Sequence, residues 1–313
     1  MDITARHMIL DRIKASLNNN VSRMYFSLNP NVTMAYITAH PEIEWDWQYL
    51  SSNPGISFRD VIDHPEYPWS WTYISMNPSV HFSHVITCLD KQPWSFYPLS
   101  SNPNVNMDIV LQFINKPWNW YSLSANPGIT FSNVKNHPEL KWSWRGLSRN
   151  PNITEKIIID HFNKWDWPFL SANKSVSMTV IRTHPDWPWD YNIMCNNPNV
   201  TLEFMLLKKS IHELSWWLLS RRINFREILQ HPEFPWDYDA MSSNSTIHLD
   251  YVLEHPNRSW NYRAIAQNPF IEDYIDVMRR HLAAFRIQLY WRRCVTNHVY
   301  AICHKLQLHR VLV

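Results

Sequence analysis

Histidine recurs at one kind of place along this 313-residue chain: His40, His64, His137, His161, His184, His231 and His255 are each followed by Pro or close a run of apolar residues. Glu66, Glu139 and Glu233 come two positions later, so acids and imidazoles sit side by side, as a general acid–base pair would need. Such a pair works in one singular pocket. A motif repeated along the chain is the opposite. A metal would need its nitrogens converging within about 2.1 Å of one ion, and histidines one repeat apart do not converge. An imidazole at a helix end is expected instead to bond terminal carbonyls or favour the negative end of the helix dipole. No segment sets a Ser or Cys nucleophile beside a His that the other segments lack. The chain therefore reads as a non-enzyme, with no catalytic residue, metal site or cofactor.

Tryptophan is the second suggestive residue, with 18 copies, mostly in Trp-x-Trp pairs. Rows of aromatics stack bases in single-strand binders, but those proteins flank them with Lys and Arg. Here the flanks are acidic: Glu44, Asp46, Asp166, Asp186, Asp190, Asp237 and Asp239. Packing between units is the simpler use. The three glycines, Gly55, Gly128 and Gly146, stand too far apart for a dinucleotide or phosphate loop. Four cysteines without a Cys-x-x-Cys pair read as reduced, intracellular thiols. No secretory signal or membrane-length apolar run is present.

Behind these residues lies a period of about 24 residues. Asn29, Asn53, Asn77, Asn102, Asn126, Asn150, Asn173, Asn197, Asn244 and Asn268 mark it, most followed by Pro. A unit around Arg221 and Arg222 has lost both residues, which makes 11 units. Between the aromatic pair every unit has Ser, Asp or Asn, an N-cap for a short helix that ends at Asn-Pro. Four residues past the Asn a second cap follows, at Thr33, Ser57, Asn106, Thr130, Thr154, Ser177, Thr201 and Asn224, for a second short helix. Helices of two turns are not stable alone. A buried Val or Ile three residues after the Asn, and a Ser, Cys or Ala two before it, supply the stacking surface. The fold expected is all-α: an α-solenoid of about 11 helical hairpins over 21–278, a rod or arc with a contour of about 100 Å. Residues 1–20 are expected as an N-terminal capping helix, and 279–313 as a basic helical tail or cap.

The tail carries seven Lys or Arg and no acid, against a body with 22 basic and 27 acidic residues. Ile287, Gln288, Trp291, Arg292 and Arg293, with Tyr300 downstream, resemble an IQ motif, although Arg293 replaces the usual Gly. A terminal cap is the plainer reading. A calmodulin-like protein, an acidic protein surface and nucleic acid are alternative partners for such a helix.

Units such as Trp118 to Asn126 and Asn197 to Thr201, with Ile287 to Cys294 in the tail, resemble tandem-repeat proteins that giant DNA viruses of amoebae encode in many copies. The resemblance covers roughly nine tenths of the chain. It implies a viral protein acting in an infected cell, in cytoplasm, viral factory or virion, and brings no activity or site residue with it. The function expected is a protein-interaction scaffold for a host or viral partner, neither secreted nor bound to membrane. Its surface is assigned to variable helix positions: Gln48, Tyr49, Arg59, Arg145, Arg149, Lys156, Glu203, Arg226 and Arg263. The alternative is a nucleic-acid-associated protein anchored by the tail.

Overall fold

The computed structural model describes residues 3–16 and 23–296. Among them the chain is all helical, with no strand. Eleven helical hairpins follow one another as an α-solenoid, each with helices of four to seven residues, until the last helix, Ile271–Thr296, runs on for 26. That helix passes the 278/279 boundary without interruption. The cap before the first hairpin, Ser22, lies outside the described residues.

Caps explain where the helices begin. All eight second-helix caps expected from sequence accept a backbone N–H from the first turn, as Thr130 does from Asn133. Asp46, Asn119, Ser143, Asp166, Asp190, Asp237 and Asn261 do the same for first helices.

The recurring Asn does two jobs. Its Oδ1 accepts the N–H two residues on, which shapes the turn after the helix, as Asn126 does from Gly128 at 2.8 Å. Its Nδ2 reaches back one unit: Asn126 donates to the carbonyls of Ser100 and Asn102 at 2.9 and 2.8 Å. The same pair of bonds recurs at Asn53, Asn77, Asn102, Asn150, Asn173 and Asn197. A buried amide that satisfies two carbonyls is hard to replace, because each orphaned acceptor costs about 1–3 kcal/mol. This is why Asn173 and Asn244 persist where their prolines have gone. In the irregular unit Arg222 takes over, its Nε donating to the Cys195 carbonyl at 2.7 Å. Burial pushes the Arg222 guanidinium below its ordinary pKa and the neighbouring Cys195 thiol above its own.

The small residue two before the Asn is also a hydrogen-bond node. Ser124 Oγ donates to Trp120 O, four residues back, and accepts the N–H of Ser143, the next unit's cap, at 2.9 Å. Close approach and a polar link thus come from one side chain.

The rod or arc expected from sequence is replaced by a closed ring. Asn29, in the first unit, donates to Ala266 O and Asn268 O at 2.9 and 3.0 Å. Asn31 donates to Pro269 O at 2.9 Å, as Asn104 does to Pro78 O. Unit 1 therefore docks on unit 11 as each unit docks on its predecessor. The period alone left the curvature open, and curvature is what decides between an arc and a ring.

The N-terminal helix, Ile3–Ser16, covers unit 1 and also straps the seam. Ile9, Leu10 and Ile13 are fully buried. The helix packs on Tyr262–Gln267 and on the last helix. Its polar side holds both banks: Asp11 accepts from Tyr36 Oη at 3.0 Å and lies 3.3 Å from His40 Nε2, while Arg12 pairs with Asp250 and stands 3.6 Å from Asp273. Asp273 is buried, accepts the Leu249 N–H at 3.0 Å, and burial raises its carboxyl above the usual range.

Candidate functional site

Two layers make the ring. Consecutive first helices, such as Trp120–Ala125 with Trp144–Leu147 and Trp216–Arg222 with Tyr238–Met241, are the most closely packed neighbours, and Tyr262–Gln267 meets Arg23–Leu28 in the same way across the seam. In a closed ring the more closely spaced layer has the smaller radius, so the first helices form the inner wall. Gly146 marks how tight this layer is: a Cβ there would stand 2.5 Å from Tyr121 O. Eleven helices at interaxial spacings of about 8–10 Å close a circle whose opening, after subtracting helix width, is about 20 Å across.

Helix periodicity decides which residues face that opening. The fourth residue of each first helix, Leu50, Leu99, Leu123, Leu147 or Leu170, is buried against the second helices. At 100° per residue, the second and sixth positions point the other way. The second position holds Gln48, Thr72, Tyr97, Tyr121, Arg145, Pro168, Asn192, Trp217, Asp239 and Arg263, and the sixth, mostly small or uncharged, includes Arg149 and Arg221. Tyr49 and Tyr73 stand beside them, half-buried. The wall is thus rich in Tyr and Arg, the residues enriched at protein interfaces.

The arginines of this wall are held by rings. Arg145 and Arg149 lie 4.9 and 5.2 Å from the Phe169 ring, and Arg149 Nη1 donates to Tyr121 Oη at 3.1 Å. Arg221 lies over Trp217 and Arg263 over Tyr25, at 5.7 and 5.2 Å. Arg145 has one loose carboxylate neighbour, Asp166 at 3.8 Å. Among the described residues, no ion pair links Arg149, Arg221 or Arg263 to a carboxylate. Beside this group Ser101, Tyr121, Ser122, Ala125, Asn126, Pro127 and Arg149 line a cavity of about 350 Å³.

The surface assigned from sequence therefore divides in two. Gln48, Tyr49, Arg145, Arg149 and Arg263 belong to the inner wall. Arg59, Lys156, Glu203 and Arg226 lie exposed on second helices, at the outer rim. Arg59 there pairs with Asp63, and Arg226 with Glu272. Sequence reasoning passed over Tyr97, Tyr121, Trp217 and Arg221. The signal was available: Arg221 stands one residue before the Asn slot, as Arg149 does, but in a unit read only as degenerate. Of the tail motif, Ile287 and Gln288 are exposed, Trp291, Arg292 and Arg293 fall within the last helix, and Tyr300 lies outside the described residues.

The histidines are placed as structure. His64, His137 and His231 lie 3.0, 3.3 and 3.2 Å from Glu66, Glu139 and Glu233. Of the seven, His255 bonds a carbonyl in the expected way with its ring, at 2.8 Å from Tyr251 O. At every one of these histidines but His161, His255 included, the histidine's own carbonyl accepts a tryptophan Nε1–H, as His64 O does from Trp69 at 2.8 Å; at His161 the tryptophan, Trp165, bonds Ile158 O. The Trp pairs are spent in the joints: Trp47 meets Trp69 edge-on at 5.0 Å, and Trp120 meets Trp142 at 5.3 Å. Among the described residues no group of three or more His, Cys, Asp or Glu is placed to hold a metal ion. No described helix is long and apolar enough to cross a membrane.

Compared with known proteins, the chain matches no family model, no curated protein and no solved structure.

Proposed function

We propose that this protein is a non-enzymatic interaction scaffold whose ring engages a protein partner along its inner wall. The observation that carries this reading is the wall itself: Tyr97 and four arginines exposed on the tightly packed layer beside half-buried Tyr49, Tyr73 and Tyr121, with three of the arginines in no ion pair with a carboxylate among the described residues. The joints absorb the repeated residues, so recognition falls to the positions that vary. Likeness of the repeats to those of giant DNA viruses of amoebae supports an infected cell as the setting. A second reading, nucleic-acid or calmodulin-like binding by the tail, is supported by seven basic residues and no acid over 279–313.

Site-specific photocrosslinking in infected-cell extract tests the first reading. A photoreactive residue at Tyr97, which is 63% exposed, is expected to capture a discrete protein, and one at Ile62 on the outer rim is not. Equal capture from both positions, or from neither, overturns it.

A further inference from the structure

We infer that the partner presents a carboxylate-rich segment to the inner wall, and that Arg145 and Arg149 are its principal anchor. This rests on the scaffold reading above and names the partner's chemistry.

The two arginines are four residues apart, so they share one face of the helix Trp144–Leu147 and its last turn. Both guanidiniums lean on Phe169, and Arg149 is further fixed by Tyr121. A ring holds a guanidinium flat while leaving its N–H edges available, and those edges match a carboxylate in a two-pronged geometry. Orienting the side chains beforehand lowers the entropy lost when a ligand arrives. The irregular unit repeats the device, with Trp217 and Arg221 at the same two helix positions and the cation again over a ring. Charge sorting points the same way. Residues 1–278 carry five more acids than bases (27 against 22), yet four arginines and one acid, Asp239, occupy the wall's facing positions.

A nucleic-acid strand fits this wall less well. It brings a charge with every nucleotide, whereas units 2 to 5 face the opening with Gln48, Thr72, Tyr97 and Tyr121 and no cation. A protein segment acidic along one stretch and uncharged along the next matches units 6 to 11, where Arg145, Arg149, Arg221 and Arg263 stand, followed by units 2 to 5, where Tyr97 and Tyr121 stand.

Fluorescence anisotropy on the full chain tests this, with a labelled poly(Glu-Ala) peptide, its poly(Lys-Ala) counterpart and oligo-dT as probes. The Glu-Ala peptide is expected to bind at low salt, and R145Q/R149Q to weaken it about tenfold, as losing charge-assisted anchors does. The rim variant R59Q/R226Q should leave it within about twofold, since exposed rim charges contribute little. Matching circular dichroism and melting curves establish that both variants remain folded. Peptide binding untouched by R145Q/R149Q, no peptide binding at all, or tighter oligo-dT binding lost in R145Q/R149Q each overturns the inference. A retained crosslink at position 97 would then leave the scaffold standing. Loss of that crosslink as well would remove both.

Discussion

The joint between units 4 and 5 and the seam between units 11 and 1 share the hydrogen bonds of the recurring Asn amide, but only the first is crossed by the chain. At the interior joint Asn126 bonds Ser100 O and Asn102 O, and Ser100 Oγ accepts the Asn119 N–H. At the seam Asn29 reproduces the amide bonds and Asn31 adds one to Pro269 O that Gly128 cannot make at the interior joint, while Ala266 stands where Ser100 does and has no hydroxyl to offer. The seam also holds Phe270, the single positive-φ residue other than glycine among the described ones, at φ 45°. What the seam lacks in covalent continuity it recovers from a separate element, the helix Ile3–Ser16. Closure is therefore a property of the strap and the joint together.

Three experiments bear on that contrast. The largest effect is expected from Leu10→Ala, which empties a fully buried site in the strap. It should lower stability by about 2–5 kcal/mol. Hydrogen exchange should rise first in 25–37 and 262–275, the two banks of the seam. Uniform exchange around the ring would show that the strap has no special relation to closure. Next come Asn29→Ala and Asn126→Ala, which remove equivalent donors from two carbonyls each. Both should lose about 2–3 kcal/mol in denaturant melts, but only Asn29→Ala should raise the radius of gyration in small-angle scattering. The smallest effect is electrostatic. Burial raises the Asp273 carboxyl, so the folded state holds that proton more tightly than the unfolded chain. Its contribution is full below the ordinary Asp range and is lost as pH rises through the raised value. Asp273→Asn should therefore flatten the fall of thermal stability above that range. An unchanged pH profile would show that Arg12 and His248 already offset the burial.

The local structure was legible from sequence because each slot has a local cause. All eight second-helix caps act as their side chains dictate, and the Val or Ile three residues past each Asn is buried at Val32, Ile56, Val105 and Ile129. Closure was not legible, because curvature depends on a small difference in spacing between two layers, and no single residue encodes it. One hint was present. The first unit of an open solenoid has no predecessor, yet Asn29 and Asn31 keep the side chains that other units use to reach back. The wall was half legible for the same reason: Arg145, Arg149 and Arg263 stood out as variable cations, but nothing in the period told inner from outer.

Closure also fixes the number of units. An open solenoid gains or loses a repeat by lengthening or shortening, with every other joint untouched. Here 11 joints share a full turn, about 33° each, and removing one unit would ask every remaining joint for about 36°. Those angles are set by close-packed contacts such as Gly146 against Tyr121, which give little. A ring of this kind accepts substitution within a unit, as Arg222 for Asn shows, far more readily than a change in the count.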